Sequence, residues 1–325
     1  MSNTENKLLD LVIIGAAAAG SAAAVYAARR NLKFIVVAKD VGGEVALSGE
    51  VENWPGVLKT TGFQLAQDFN KHVKSYGVQI EEGFEVTEIK QEHNHHVVVA
   101  KNLLGEERHY ETKAVIIASG IHPRHLNIAG EKENYGKGVT YCTVCDGPLF
   151  RNKTTVTIGA GNSALESALM MAGIAKKVYI ITKYSDTKEQ NGGFPKGENI
   201  LIDKVKALPN VEVIYNAQTL EIQATDFVNS VKYKDVITND EKNIEVEGVM
   251  VHIGQIPNSD FVKCGKKNPI GEIEVDLRCQ TSCPGVFAAG DVTNIPYKQI
   301  AISAGHGVTA ALSAIDYVNR FKEQD

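Results

Sequence analysis

The sequence predicts an α/β protein of two domains, each built on one repeated strand, turn, helix, strand unit. Three observations lead there. An apolar run near the N-terminus is punctuated by glycine. A second run of the same design follows 144 residues later, from Gly15 to Gly159. The composition is that of a globular chain. At 325 residues there is room for about two domains and for a core that needs no disulfide staple. Hydrophobic residues make up 43% and charged residues 22%, with a mean hydropathy of −0.14, which excludes the disordered and fibrous classes. The 34 Lys and Arg against 39 Asp and Glu leave a net charge of −5 with no basic stripe, so no nucleic acid partner is expected.

In chain order, Leu11-Val-Ile-Ile-Gly15-Ala-Ala-Ala-Ala-Gly20 reads as a buried strand entering a tight turn, followed by an Ala-rich helix and a second strand at Phe34–Val37. The stretch from Leu11 to Ala28 carries no charge over eighteen positions, the length at which a membrane helix becomes a candidate. Gly15 and Gly20 interrupt it, alanine fills half of it and the β-branched residues gather at its front, which favours strand, turn and helix. Glu5 and Asp10 precede it without a basic segment, unlike a signal peptide, so a cytoplasmic protein with no membrane association is expected.

The second copy is Val156-Thr-Ile-Gly159-Ala-Gly161-Asn162-Ser163-Ala164, followed by a helix over Leu165–Ala172 and a strand at Val178–Ile181. A mixed antiparallel region is expected after each copy: Phe84–Lys90 with Val97–Lys101, and Val211–Tyr215 with Val228–Lys234. Each copy closes on an apolar strand running into glycine, Ala114–Gly120 and Gly248–Gly254. His93, His95 and His96 read as a solvated turn entering the strand Val97–Ala100.

Phosphate chemistry explains the turns. A strand, a glycine turn and a helix N-terminus present free backbone N–H groups and a positive dipole end to a pyrophosphate. The second copy keeps Gly159 and Gly161 at the turn and close-approach positions, with Ala164 at the helix-packing position. The first keeps Gly15 and Gly20 but has Ala17 at the close-approach position, where a methyl group pushes the pyrophosphate outward or makes the loop adjust. Two such copies imply two dinucleotides, or one dinucleotide and one vestigial site.

Five cysteines are few and odd in number, which argues against a secreted disulfide framework. Cys142-Thr-Val-Cys145 lies between the copies, with Asp146 directly after it. In a chain of βαβ units that spacing reads as a redox dithiol, since two thiols so placed close a disulfide at little backbone cost. Half of a zinc site is the rival reading, weakened because no second CxxC or His pair stands at suitable spacing. Cys264, Cys279 and Cys283 read as structural or surface thiols.

The CxxC-Asp run, Val51-Glu-Asn-Trp-Pro-Gly56 and Pro284-Gly-Val-Phe-Ala-Ala-Gly-Asp291 together resemble the low-molecular-weight thioredoxin reductase family. Cys145-Asp-Gly-Pro-Leu-Phe150 and Pro296-Tyr-Lys-Gln-Ile300 resemble the flavoprotein subunit of alkyl hydroperoxide reductase, and the likeness runs from about Leu8 to Tyr317. That flavoprotein carries an additional N-terminal thioredoxin-like region, so here the acceptor is expected to be a separate protein.

The resemblance implies two Rossmann-like, three-layer ββα domains, the second inserted in the first. An FAD domain would comprise residues 1–117 and 249–325, and a domain for NAD(P), carrying the CxxC, residues 118–248. It also implies roles. Gly15, Ala17 and Gly20 would hold the FAD pyrophosphate, Gly42, Gly43 and Glu44 a loop approaching the flavin, and Asn53 a flavin-side contact. Gly290 and Asp291 would bind the ribityl and phosphate portion, and Gln299 and Ile300 would begin a helix aimed at the pyrimidine side. Gly159, Gly161, Asn162, Ser163, Ala164 and Lys183 would serve NAD(P). Cys145 would be the flavin-proximal sulfur, Cys142 the interchange thiol and Asp146 the proton donor and acceptor. A homodimer acting on a thioredoxin-like or glutaredoxin-like disulfide is implied, with peroxiredoxin the alternative acceptor. Glutathione-reductase-type chemistry is disfavoured, because residues 38–58 contain no cysteine.

The electron donor is open between NADPH and NADH. NADPH users of the family place a His-Arg-Arg run where this chain has Thr182-Lys183-Tyr184, and lysine lacks the bidentate fork of arginine. Asp186 and Glu189 are near the strand end but not at the place expected of an NADH-type acid, and Asn191–Gly197 adds a polar turn. Three readings follow: an NAD(P)H-dependent reductase, a flavin disulfide reductase fed by ferredoxin or reduced flavin, and a non-enzymatic nucleotide-bound redox sensor.

Overall fold

Strand β1 (Leu9–Ala16) is almost wholly buried from Leu11 to Ile14 in the computed structural model, which describes residues 8–48 and 50–322 without the side chains of Glu50 and Cys145. Its continuous apolar run has no alternation because both faces are covered. Each such Val or Ile contributes about 1.5–3 kcal/mol on burial. The chain continues through α1 (Ala18–Arg29), β2 (Phe34–Val41), α2 (Gly43–Leu47) and the short antiparallel pair β3 (Glu50–Val51) and β4 (Thr60–Thr61). Next come α3 (Gly62–Ser75), β5 (Ile80–Glu82), β6 (Phe84–Glu92), β7 (His95–Asn102) and β8 (Glu107–Ile117).

The first half of β8 pairs antiparallel with β7, and its buried end, Ala114–Ile117, pairs parallel with β1. This gives the sheet order β5-β2-β1-β8-β7-β6. The alanines of α1 form one small-residue face, packed into the same core as Ala310, Ala311 and Ala314.

After β9 (Ile121–Pro123) the second unit runs through β10 (Val139–Thr140), α4 (Thr143–Asp146), β11 (Thr154–Ile158), α5 (Asn162–Ala172), β12 (Lys177–Ile181), α6 (Asn199–Lys206) and β13 (Val211–Ile214). It ends in β14 (Ala217–Ala224), β15 (Val228–Asp235), β16 (Glu241–Glu245) and β17 (Gly248–Val251). A five-stranded parallel sheet has the order β10-β17-β11-β12-β13, and β14-β15-β16 form a separate antiparallel sheet. The chain returns through β18 (Gln255–Pro257) to β19 (Val286–Ala288), which lies parallel to the end of β8, and to α7 (Ile300–Asn319).

Two expectations are corrected. Val211–Tyr215 does not pair with Val228–Lys234: β13 is the parallel edge strand beside β12, and the partner of β15 is β14, with Ile222 opposite Val231. Asn216, at φ 52°, turns the chain out of one sheet and into the other. Nor is His96 a solvated turn residue. It lies in β7 at 2% exposure, its Nε2 3.1 Å from the Pro284 carbonyl, and burial lowers its pKa.

The chain divides into two compact units, Met1–His122 with Ile256–Asp325, and Pro123–Gln255. The junctions thus lie five and seven residues beyond those expected at 117 and 248. The reason is local: Ala118–His122 and Pro257–Phe261 line a cleft in the first unit and pack with it.

Candidate functional site

In the first unit β1 delivers the chain to Gly15, whose φ of 107° and whose distance to β8 both demand glycine. A Cβ there would stand 2.3 Å from the Ala118 carbonyl oxygen. The turn opens on a cleft of about 1260 Å³, lined by the ends of β1 and β2, the start of α1, α2, the chain after β8, Gly290, Asp291 and the start of α7. Gly15, Ala17, Gly43, Glu44, Gly290, Asp291 and Ile300 line it, whereas Gly20 and Gly42 are buried, and Asn53 and Gln299 exposed, outside its lining. Asn53 donates from Nδ2 to Gln299 Oε1 at 3.1 Å, which ties the 52–56 loop to the residue capping α7.

Ala17 caps α1 with extended backbone, φ −96° and ψ −158°, and packs into the small core of Val45, Trp54 and Ile300. Gly43 packs opposite, where a Cβ would stand 3.4 Å from the Ala17 methyl, at van der Waals contact.

Carboxylates gather along the cleft. Burial raises the pKa of Glu44, opposed by the charge of His122 and reinforced by Asp40 and Asp291. Burial likewise raises that of Asp291, opposed by the Ser303 hydroxyl, which donates to Oδ1 at 2.7 Å, and by Lys298. Sequence reasoning missed Asp40, Asn258, Lys298 and Ser303. Asp40 carried a signal: it ends β2 about where a dinucleotide fold places its ribose-binding acid, and here its Oδ1 accepts the Gly43 N–H at 3.0 Å. The residues fit FAD. A helix N-terminus meets a glycine turn for the diphosphate, and the cleft is lined by Asp40, Glu44 and the half-buried Asp291 beside a hydroxyl and an amide for the sugar portions.

The second unit repeats the turn in different surroundings. Gly159 has φ 153°, and a Cβ there would stand 2.1 Å from the His252 carbonyl oxygen, just beyond β17. Gly161 caps α5, Asn162 and Ser163 open the helix, and Ala164 is fully buried beneath it. Residues 191–198 run across this turn. Lys196 bridges to Gly161 in parallel fashion, Asn162 Nδ2 donates to Glu198 Oε1 at 2.8 Å, and Glu198 N–H donates to Asn162 Oδ1 at 2.8 Å.

The other end of this segment is rooted. Phe194 is fully buried among Leu165, Ile180 and Val205, and Thr182 Oγ1 donates to the Gly193 carbonyl at 2.7 Å. Asp186 is engaged by Lys206 at 2.8 Å, and Lys183 is exposed with its Nζ 5.3 Å from the centre of the Tyr184 ring. With the segment in this position the turn does not fit a dinucleotide pyrophosphate.

The CxxC begins at the end of β10. Cys142 is disulfide-bonded, its N–H donates to Thr140 Oγ1 at 3.0 Å, and the Thr140 hydroxyl donates to Asp146 Oδ2 at 2.5 Å. The Asp146 N–H closes the turn onto the Cys142 carbonyl at 3.1 Å. The side chain of Cys145, and with it the expected pairing, lies outside the described residues. Thr143 Oγ1 lies 2.6 Å from Ser167 Oγ and 2.7 Å from His252 Nε2, and burial lowers the His252 pKa to about 4. Tyr141, just before the motif, gives its hydroxyl to the buried Glu131 at 2.9 Å. Burial first and Glu131 second raise the pKa of that phenol. Sequence reasoning missed Thr140, His252 and Glu131. Of the other thiols, Cys279 is fully buried with its pKa pushed up to about 12, and Cys264 and Cys283 are half-buried.

A sequence profile of the pyridine nucleotide-disulphide oxidoreductases matches residues 9–308. The F subunit of the alkyl hydroperoxide reductase of Pseudomonas putida is 40% identical over 316 residues, covering 96% of this chain and 58% of that protein. Across such curated relatives the chain spans about three-fifths of their length. Among solved structures, the thioredoxin reductase of Lactococcus lactis superposes with a TM-score of 0.80 at 31% identity, covering 96% of this chain and all of that one. That of T. acidophilum superposes at 0.76 with 40% identity, covering 96% of this chain and 98% of that one.

Proposed function

The chain belongs to the pyridine nucleotide-disulphide oxidoreductase family, whose members work with FAD and NAD(P)H, and on that premise we propose that it is a flavin-dependent disulfide reductase. It passes electrons from a nicotinamide dinucleotide, by way of FAD in the first-unit cleft and the Cys142/Cys145 pair, to a thioredoxin-like or glutaredoxin-like disulfide. It works as a homodimer, with residues 1–122 and 256–325 as the FAD domain. The observation that carries the reading is the Cys142 turn, whose Asp146 carboxylate is held by the Thr140 hydroxyl beside the motif it serves.

The chemistry FAD supplies when bound is two-electron transfer between a hydride donor and a disulfide. Gly15, the start of α1, Asp291 and Ser303 would hold it. In the reduced dithiol, the Cys142 thiolate attacks one sulfur of the partner disulfide, forming a mixed disulfide and expelling a partner thiolate. The Cys145 sulfur then attacks Cys142, re-forming the internal disulfide and releasing the second partner thiol. Two electrons leave with the partner. Asp146 protonates the departing thiolate, which otherwise reattacks.

The test is reduction of a thioredoxin disulfide by protein whose flavin has been reduced with dithionite. Cys142→Ser is expected to lower that rate at least about a thousandfold with flavin content unchanged. An unchanged rate removes the assignment. A second reading, with ferredoxin or reduced flavin as donor, is favoured by Thr182-Lys183-Tyr184 and by the covered turn of the second unit. Anaerobic titration separates them: bleaching of the flavin by NADH or NADPH supports the first reading, and bleaching by dithionite alone supports the second.

A further inference from the structure

We propose that residues 195–198 are a strap over the glycine turn of the second unit, and that the Asn162–Glu198 clasp makes a nicotinamide dinucleotide displace it to bind. The inference rests on the reading that this unit takes such a nucleotide, and it names the groups that set its affinity.

Four observations converge on the strap. Lys196 forms a bridge to Gly161, the residue whose lack of a side chain lets a phosphate approach. Glu198 and Asn162 exchange two hydrogen bonds, so the first residue of α5 already has a partner for its side chain. The Glu198 carboxylate brings a negative charge to the helix end that otherwise attracts phosphate, and a pyrophosphate arriving there meets like charge. Finally, Asn191 Nδ2 donates to the Gly197 carbonyl at 2.9 Å, bracing the strap from behind.

The two ends of the segment differ in how firmly they are held. Gly193 and Phe194 are buried, and Thr182 grips the Gly193 carbonyl, so this end stays rooted when the strap moves. Pro195, Lys196 and Glu198 are exposed, and their bonds to the turn face water. Opening therefore breaks the clasp and the Gly161 bridge without disturbing the core around Phe194. A site competent for only a fraction of the time binds its ligand more weakly by that fraction. Exposed hydrogen bonds of this number correspond to about a tenfold loss of affinity.

The experiment is an equilibrium titration of the FAD-loaded full chain with NADH and with NADPH, for the wild type, Glu198→Ala and Glu198→Gln. Glu198→Ala removes the charge and the side-chain half of the clasp, leaving the backbone N–H bond to Asn162 Oδ1, and is expected to bind at least one nucleotide about threefold or more tightly than the wild type. Glu198→Gln keeps a hydrogen-bonding group but no charge, and is expected to fall between them. Equal or weaker binding of both nucleotides by Glu198→Ala overturns the proposal, as does the absence of binding in all three proteins. Glu198 is exposed and its side chain makes no cap bond to α6, so neither variant threatens the fold. Because the readout is binding and not turnover, loss of disulfide reduction would count against the reductase reading and leave the strap standing.

Discussion

Gly15 and Gly159 solve the same backbone problem in the two units, and what lies beyond them differs. Each has positive φ, and in each a Cβ would strike a carbonyl just past the neighbouring strand, that of Ala118 or that of His252. In the first unit the turn opens on a cleft of about 1260 Å³. In the second it lies beneath Lys196 and Glu198. A glycine turn after a buried strand therefore reports how strand, helix and neighbouring strand pack. Whether it binds a phosphate depends on a segment elsewhere in the chain, here the residues between β12 and α6.

The strongest way to break this comparison is to make one substitution twice. Gly15→Ala and Gly159→Ala each force a Cβ into a carbonyl oxygen at a strained φ, and each is expected to cost about 3 kcal/mol of stability. Only Gly15→Ala is expected to strip the flavin, by about tenfold or more in flavin-to-protein ratio at limiting FAD. If Gly159→Ala strips it equally, the two turns do not have separate roles.

An effect of similar size in the second unit is one of pH. His252 titrates near 4 when folded, against about 6.5 unfolded, so it adds stability that is present above pH 6.5 and is lost as the pH falls towards 4. The loss amounts to about 3 kcal/mol over that window. Denaturant melts at pH 7 and pH 4.5 are expected to show a smaller acid loss for His252→Gln than for the wild type, and equal losses would show that His252 does not couple to the folding of its unit.

Smallest of all is Ala17→Gly, which restores a glycine to the first turn at the position Gly161 occupies in the second. Since the Ala17 methyl packs into the small core with Val45, Trp54 and Ile300, FAD affinity is expected to rise by less than about threefold in a titration of apoprotein. A tenfold gain would mean that the methyl does face the phosphate.

Much of this architecture was legible because it depends on neighbours in sequence. Leu11–Ile14 and Ala114–Ile117 are apolar without alternation, and such runs bury on both faces. The Val211–Tyr215 pairing was misread because an apolar segment of five residues does not reveal whether its partner is parallel or antiparallel. His96 was misread for a related reason: two histidines beside a turn look solvated, yet the pleat puts one inside, where it meets Pro284. In the site, the cysteine pair and its aspartate were readable from spacing, whereas Thr140, Glu131 and His252 were not. None of those three belongs to a motif, and His252 reaches Thr143 across 109 residues.

The sequence alone determined that this chain folds two strand, turn, helix units and places two cysteines three apart ahead of an aspartate, since helix starts, buried strands and residue spacing are local properties. Tertiary structure decided which glycine turn stands open. The Asn162–Glu198 clasp joins residues 36 apart, and Phe194 roots the segment between them in a core assembled from α5, β12 and α6. The path of that loop is set by packing among elements distant in the chain, and no local pattern encodes it.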